Sequence, residues 1–409
     1  MKKFHFTIIS HLCLFMFLGI PTDAQDTTDL LPCGERPTLS DAFQVEPTLF
    51  CLEQAIIQEE GVAGDYTSLV FDDDYRLYAT NPLDGEVVVF TDTDDDDLID
   101  TETILLSDLA FPHGLAYANG FLYILGDGTL YEYMLETDTL SVLVDDLPQN
   151  RTFATRAILV HDEFLYIGIP APCDLCVYDT QEESHLRGTI LRMRLDGTER
   201  TVIADGLRYP TALTIYNNQL LITDVAADYH RLETHVDEIN TINLPADTDT
   251  IPNFGFPHCF GLNTVENQID MDFDCTSATP PTYSLATNST PFAMSVYQGD
   301  GFEWLQNSLL LAFQGSDDSS LVVGHALYAI RPDSATTLTY HAIAPSNTQS
   351  GGIMNIPNLQ HTGIVPFHTE RVNRTGNGIF PQNVYSVAVD QHGWIYFSTS
   401  FDGLFVIRP

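Results

Sequence analysis

One pattern recurs six times along this chain, and it limits the fold more than any other feature. An apolar strand, a polar turn, a second apolar strand carrying an aromatic, and a third strand follow one another. The units are SLVFDDDYRLYAT with GEVVVF, GLAYANGFLYILG with GTLYEYML, and RAILVHDEFLYIGI with GTILRMRLDG. ALTIYNNQLLITD with DEINTINL, FAMSVYQGD…NSLLLAFQG with HALYAIRP, and SVAVDQHGWIYFSTS with GLFVIRP complete the set. Within each unit apolar residues alternate with period two, and Asn-Gly, Asp-Gly or Asn-Asn turns part the strands. Almost nothing reads as an amphipathic helix. Short units repeated radially make a β-propeller, with ligand sites around the central channel. A solenoid fits poorly, because the spacing between units is irregular and long insertions interrupt them. The expectation is an all-β, six-bladed β-propeller over residues 61–409, preceded by an N-terminal segment at 25–60. The insertions run from Pro170 to Arg187, Ala227 to Thr290 and Ala344 to Gln382, and long loops on a rigid scaffold build or cap sites.

Residues 1–24 read as a secretory signal peptide: Lys2 and Lys3, an apolar run, then Thr22-Asp23-Ala24 as a small-residue cleavage site. The apolar run is short for a membrane anchor, so the expected product is secreted or periplasmic, with no membrane span. Lys2 and Lys3 are the only lysines, which excludes side-chain Schiff-base chemistry from the mature chain. A formal charge of −41 speaks against nucleic acid and anionic membranes as partners, and describes a solvated acidic surface. Beyond Cys13, six cysteines remain, an even number in an exported chain. Local pairing would give Cys33–Cys51, Cys173–Cys176 and Cys259–Cys275. The CxxC at 173 is also compatible with redox or zinc chemistry. No second CxxC or HxxxH completes a zinc set, which favours a structural bridge.

Two stretches carry denser chemistry. TDTDDDDLIDTE places Asp92, Asp94, Asp96 and Asp100 at positions 1, 3, 5 and 9 of a calcium loop, with Ile99 at the apolar eighth position. Asp97 stands where that loop has Gly, and Thr103 stands where it has Glu. The other reading is an acidic, solvated turn between strands. NFGFPHCFG, residues 253–261, is neither helix nor regular strand, because Gly255 and Pro257 break any period. His258 within it reads as a buried or rim histidine before it reads as a ligand. Asn150, Asn288 and Asn373 sit in N-x-[ST] sequons. No GxSxG elbow, HExxH, phosphate loop or dinucleotide fingerprint is present, which argues against hydrolase and nicotinamide chemistry.

Several segments together resemble the soluble pyrroloquinoline quinone (PQQ)-dependent glucose/sorbosone dehydrogenases. They are Gly206-Leu207-Arg208-Tyr209-Pro210, Thr223-Asp224-Val225-Ala226, Asp237-Glu238-Ile239-Asn240, and Phe254-Gly255-Phe256-Pro257-His258-Cys259-Phe260-Gly261. GIPAPCDLCVYD and the tail SVAVDQHGWIYFSTSFDGLFVIRP extend the likeness over roughly residues 61–409. The resemblance implies a six-bladed propeller, PQQ and calcium as cofactors, a sugar substrate, and cofactor-binding roles for Arg156, Arg208 and Asp224. It also implies that NFGFPHCFG packs beneath the next blade.

The chain departs from that family at its chemistry. The family's general base is a histidine in G-G-G-H-S-x-R, and Phe153 stands there, although Arg156 is kept. Phenylalanine accepts no proton. PQQ carries three carboxylates, yet Tyr209 replaces an asparagine, Gln314-Gly315-Ser316-Asp317-Asp318 covers the lysine region, and Asn383 and Tyr385 fall at arginine positions. His113, at the start of the second unit, is the candidate substitute base. The leading functional expectation is an exported PQQ-dependent dehydrogenase oxidising an alcohol or aldehyde group of a sugar. The alternative is a non-catalytic relative that binds carbohydrate or a protein partner. A gluconolactonase-like hydrolase lacks an obvious ring of channel carboxylates.

Overall fold

The computed structural model describes residues 51–56, 66–93, 97–149, 152–178, 185–227, 235–270, 272–285, 289–315, 326–332, 338–344, 383–400 and 403–409. The signal segment, Cys33, Asp94, Asp96, the three sequon asparagines and the third insertion beyond Ala344 lie outside them. Among the described residues no helix is long and apolar enough to cross a membrane.

The six units of the sequence are six antiparallel four-stranded sheets. After β1 (Cys51–Gln54), blade 1 is β2 (Ser68–Phe71), β3 (Leu77–Asn81), β4 (Glu86–Thr91) and β5 (Thr101–Leu106). Blade 2 is β6 (Gly114–Ala118), β7 (Phe121–Leu125), β8 (Leu130–Met134) and β9 (Thr139–Val144), and blade 3 is β10 (Ala157–His161), β11 (Phe164–Ile169), β12 (Thr189–Arg194) and β13 (Thr201–Ala204). Blade 4 takes β14 (Pro210–Tyr216), β15 (Gln219–Asp224) and β16 (Glu238–Asn243). After a small hairpin, β17 (Cys259–Phe260) and β18 (Thr264–Val265), it is completed by β19 (Tyr283–Ser284). Blade 5 is β20 (Pro291–Val296), β21 (Leu309–Phe313), β22 (Ala326–Pro332) and β23 (Leu338–Ala344). Blade 6 holds β24 (Val384–Val389), β25 (Ile395–Thr399) and β26 (Gly403–Arg408), and its outer strand is β1, paired Cys51↔Arg408 through Gln54↔Phe405. The expected N-terminal segment thus supplies a strand to the last blade.

The six core clusters among the described residues correspond one to one with the six junctions between blades. Tyr78, Val87, Leu115 and Leu122 join blades 1 and 2, for example, and Leu69, Val88, Tyr396 and Val406 join blades 1 and 6. Each sheet buries both faces, so inner strands such as β3, β11 and β21 are buried almost throughout and depart from the expected period-two alternation, and no single blade has a core of its own. The first strands, β2, β6, β10, β14, β20 and β24, stand side by side around the channel, with β24 again beside β2. There backbones crowd. A Cβ on Gly114 would lie 2.4 Å from the Arg156 carbonyl, so only glycine fits.

Three channel strands carry a register break at their second residue: between Pro210 and Ala212, Pro291 and Ala293, and Val384 and Ser386. A bulge drops one residue out of the ladder and re-aims its side chain. Thr211, Phe292 and Tyr385 are the residues so released.

The NFGFPHCFG loop turns the other way from the expectation. Asn253 makes a parallel bridge to Asp205, and the amides of Phe254 and Phe256 donate to the carbonyls of Asp205 and Gly206 at 2.9 Å each. Phe254 is buried in the cluster between blades 3 and 4, so the loop packs at the preceding junction and not beneath the next blade. The cause is steric. A Cβ on Gly206, at φ +70°, would lie 2.7 Å from the Gly255 nitrogen and block the approach, and one on Gly255, at φ +102°, would lie 2.7 Å from the Cys259 Cβ and open the turn. Cys259–Cys275 and Cys173–Cys176 are disulfides, which makes the CxxC a bridge. His258 stacks on Phe273, centroids 4.1 Å apart.

Candidate functional site

The N-terminal ends of the channel strands gather at one end of the channel, and two arginines organise that end. Arg156, immediately before β10, crosses from blade 3 to the far side. Its Nη2 donates to the Thr67 carbonyl at 2.6 Å and to the Tyr385 carbonyl at 3.1 Å. Its guanidinium lies 4.1 Å from the centroid of Phe292. Blades 1, 5 and 6 therefore all hold one cation from blade 3. Burial pulls the Arg156 pKa down from its ordinary value, against the opposing pull of Tyr209 and Tyr385.

Arg208 sits just before β14. Its backbone amide and that of Tyr209 donate to the two carboxylate oxygens of Asp224, at 3.0 and 2.6 Å. Each nitrogen of its guanidinium makes one bond: Nε donates to the Asp174 carbonyl at 2.9 Å, Nη1 to the Val225 carbonyl at 2.8 Å, and Nη2 pairs with the Asp174 carboxylate. Phe153 covers it, with the Arg208 Cζ 4.6 Å from the ring centroid. From there an aromatic arc follows the channel end. Phe153 stacks on Tyr209 at 4.7 Å, Tyr209 meets Phe292 edge-on at 6.2 Å, and Phe292 stacks on Tyr385 at 6.0 Å. Phe153, Phe292 and Tyr385 are only partly buried.

His113, at the foot of β6, is half-buried beside this arc. Burial first, and the Arg156 charge second, push its pKa down to about 4, so the imidazole is neutral at physiological pH. Its Nδ1 is buried without a hydrogen-bond partner.

Behind the Arg208 turn lies a small pocket, with a volume of only about 40 Å³, lined in part by Arg208, Asp224, His235, Glu238, Phe256 and Glu266. Burial raises Asp224 to about 6, and burial together with Asp224 raises Glu238 to about 8. His235 Nε2 and Glu266 Oε2 pair at 2.6 Å. Asp237 bridges strands: it accepts from the Ala226 amide at 2.9 Å, and from Ser289 Oγ and the Thr290 amide at 2.8 Å each. Glu238 Oε1 accepts from the Gly261 amide at 2.7 Å, and the buried Oδ1 of nearby Asn240 has no hydrogen-bond partner among the described residues.

Arg156, Arg208, Asp224 and His113 therefore fall around one channel end. The acidic loop lies elsewhere. Asp92 accepts from the Asp97 amide at 2.8 Å. Asp100 is held by Thr93 and Thr101, whose hydroxyls lower its pKa. Asp97 takes φ +66°, the conformation for which glycine is the usual choice at that position. Among the described residues no three His, Cys, Asp or Glu side chains converge as a metal centre. Sequence reasoning assigned no site role to Asp174, Asp237 or Phe292. Asp174 carried a signal, because an acidic residue enclosed by CxxC is presented on a short, rigid loop.

The described residues do not fit PQQ. Its three carboxylates need free cations, but Arg208 is paired with the Asp174 carboxylate, which leaves Arg156, held by two neutral carbonyls and a ring, as the one uncompensated cation among the described residues of this channel end. Residues 383 and 385 add none, being Asn and Tyr. Burying such anions unpaired costs several kcal/mol each.

No protein-family model matches the chain, and no curated protein matches it. Solved structures do. A Trichoderma reesei carbohydrate-active enzyme of family AA12, in a calcium structure, aligns with TM-score 0.68 at 15% identity, over 91% of this chain and 98% of that one. The holo pyranose dehydrogenase PQQ domain of Coprinopsis cinerea gives 0.63 at 13% identity, over 91% and 98%. The PQQ-bound aldose sugar dehydrogenase of Streptomyces coelicolor gives 0.56 at 14% identity, over 89% and 99%. The chain has the fold of PQQ sugar dehydrogenases, a six-bladed β-propeller.

Proposed function

We propose that this protein is an exported, sugar-dehydrogenase-like propeller whose ligand is a neutral carbohydrate taken at the aromatic end of the channel. The observation that carries this reading is the arc of Phe153, Tyr209, Phe292 and Tyr385, with two of its rings aimed by bulges. Flat aromatic faces suit the C–H faces of a pyranose, and a few well-placed polar groups fix its orientation. His113, a neutral imidazole, stands at the same channel end. The glucose, aldose and pyranose dehydrogenases that share the architecture support the sugar class.

The catalytic form of this reading is PQQ-dependent oxidation of an alcohol or aldehyde group of that sugar, with His113 as the base. Shared architecture favours it; the committed arginines count against it.

Saturation-transfer NMR with a panel of neutral pyranoses tests the proposal. Transfer to ring C–H protons is expected, and Phe292→Ala should weaken it. A panel with no transfer refutes the reading. Sugar-dependent dye reduction on adding PQQ and calcium would replace it with the catalytic form.

A further inference from the structure

Arg208 is nearly buried, at 4% side-chain exposure, whereas the Asp174 that binds it is 32% exposed. The carboxylate reaches the cation from a surface loop, the first insertion, between β11 and β12. Cys173–Cys176 closes that loop around Asp174. Its base is tied down as well: the Ala171 amide donates to the Arg208 carbonyl at 2.8 Å, and Thr152 Oγ1 donates to the Pro172 carbonyl at 3.2 Å. Asp174 thus offers Arg208 both its carbonyl and its carboxylate, as a bound carboxylated ligand would.

We infer that Asp174 is a tethered ligand: it fills the anion seat of Arg208 at the channel end, so the site excludes carboxylated ligands and is left to neutral ones. This rests on the reading of the channel end as the ligand site. The physics is competition. A tethered group acts at an effective concentration in the millimolar range, so a free carboxylate with micromolar affinity for the same seat is weakened by about tenfold or more. A bridge with only a structural role predicts something different, a loss of stability on removing Asp174 with no gain in anion binding.

PQQ itself, a trianion with a strong chromophore, is the probe. Equilibrium dialysis with calcium present should show no saturable binding to wild type at up to about 100 µM, a range in which even weak complexes register. Asp174→Asn keeps the shape and removes the charge, and Asp174→Ala removes the whole acceptor. Both should bind PQQ at least about tenfold more tightly than wild type, as relief of a tethered competitor requires. The double variant Asp174→Asn/Arg208→Met should lose that gain.

Three results overturn the inference. Wild type may bind PQQ as tightly as the variants do; the variants may fold with native circular dichroism and melting yet gain nothing; or the gain may survive loss of Arg208. A wild type that gives no saturation transfer from any neutral sugar sinks the proposed function alone, because gain of PQQ binding is read without a sugar.

Discussion

Arg156→Met removes a side chain that crosses the channel, and its cost follows from three contacts. Two backbone carbonyls, Thr67 and Tyr385, lose a charged donor. Tyr385 sits at a register break of the ladder. An acceptor left buried and unpaired costs about 1–3 kcal/mol, so the pair accounts for about 2–6 kcal/mol. The stacking on Phe292 at 4.1 Å contributes up to about 2 kcal/mol more in a desolvated place. Against this, a buried guanidinium no longer has to be desolvated, which returns about 3 kcal/mol. At mid-range the lost contacts come to about 5 kcal/mol, so the balance is a loss on the order of 2 kcal/mol. In a propeller of this size each kcal/mol shifts Tm by about 2 °C, so calorimetry should record a fall of roughly 4 °C. Arg156→Lys keeps the charge but not the fork, and should fall between the two. An Arg156→Met protein that melts within about 1 °C of wild type, less than 1 kcal/mol on that scale, refutes the account of Arg156 as a cross-channel tie.

Two further predictions concern pH and calcium. The His113 pKa is about 4 in the folded chain against an ordinary 6.5, so the unfolded chain binds the extra proton. Stability from this group is complete above pH 6.5 and is lost as pH falls toward 4, by on the order of 3 kcal/mol. The difference in melting between wild type and His113→Gln should change over that window, and a constant difference refutes the assignment. Calcium is expected to raise Tm by mass action and EDTA to lower it. Glu238→Gln abolishes the change if the pocket holds the ion, and Asp92→Asn with Asp100→Asn abolishes it if the acidic loop does. Melting indifferent to both calcium and EDTA counts against either site.

The blade count was legible because most inner strands are short apolar runs parted by recognisable turns. The fourth strands were not. The outermost strand of blade 2, Thr139–Val144, is exposed at its first four residues, and on a solvated edge the polar–apolar pattern carries little information. Blade 4 ends in two residues, Tyr283–Ser284, beyond a long insertion, and blade 6 borrows β1 from the other end of the chain. At the site, Arg156 and Arg208 were found through resemblance, but their partners were not. Thr67, Tyr385 and Phe292 come to Arg156 from three other blades, so no local spacing links them. Phe153 reads in the sequence as a missing base; in the fold it is a wall that stacks on Tyr209 and covers Arg208.

The pairing of β1 with β26 joins Cys51 to Arg408, so the ring closes only after almost the whole propeller has been made. Until then the edge of β26 stands open, a row of unpaired amides and carbonyls that any matching strand can fill. The β1 of another copy competes with the chain's own for that edge, and the local concentration of copies decides between self-closure and exchange. A chain whose Cys51–Gln54 is cut away keeps its channel strands and leaves the β26 edge permanently open, a place where strands of other chains can add one after another.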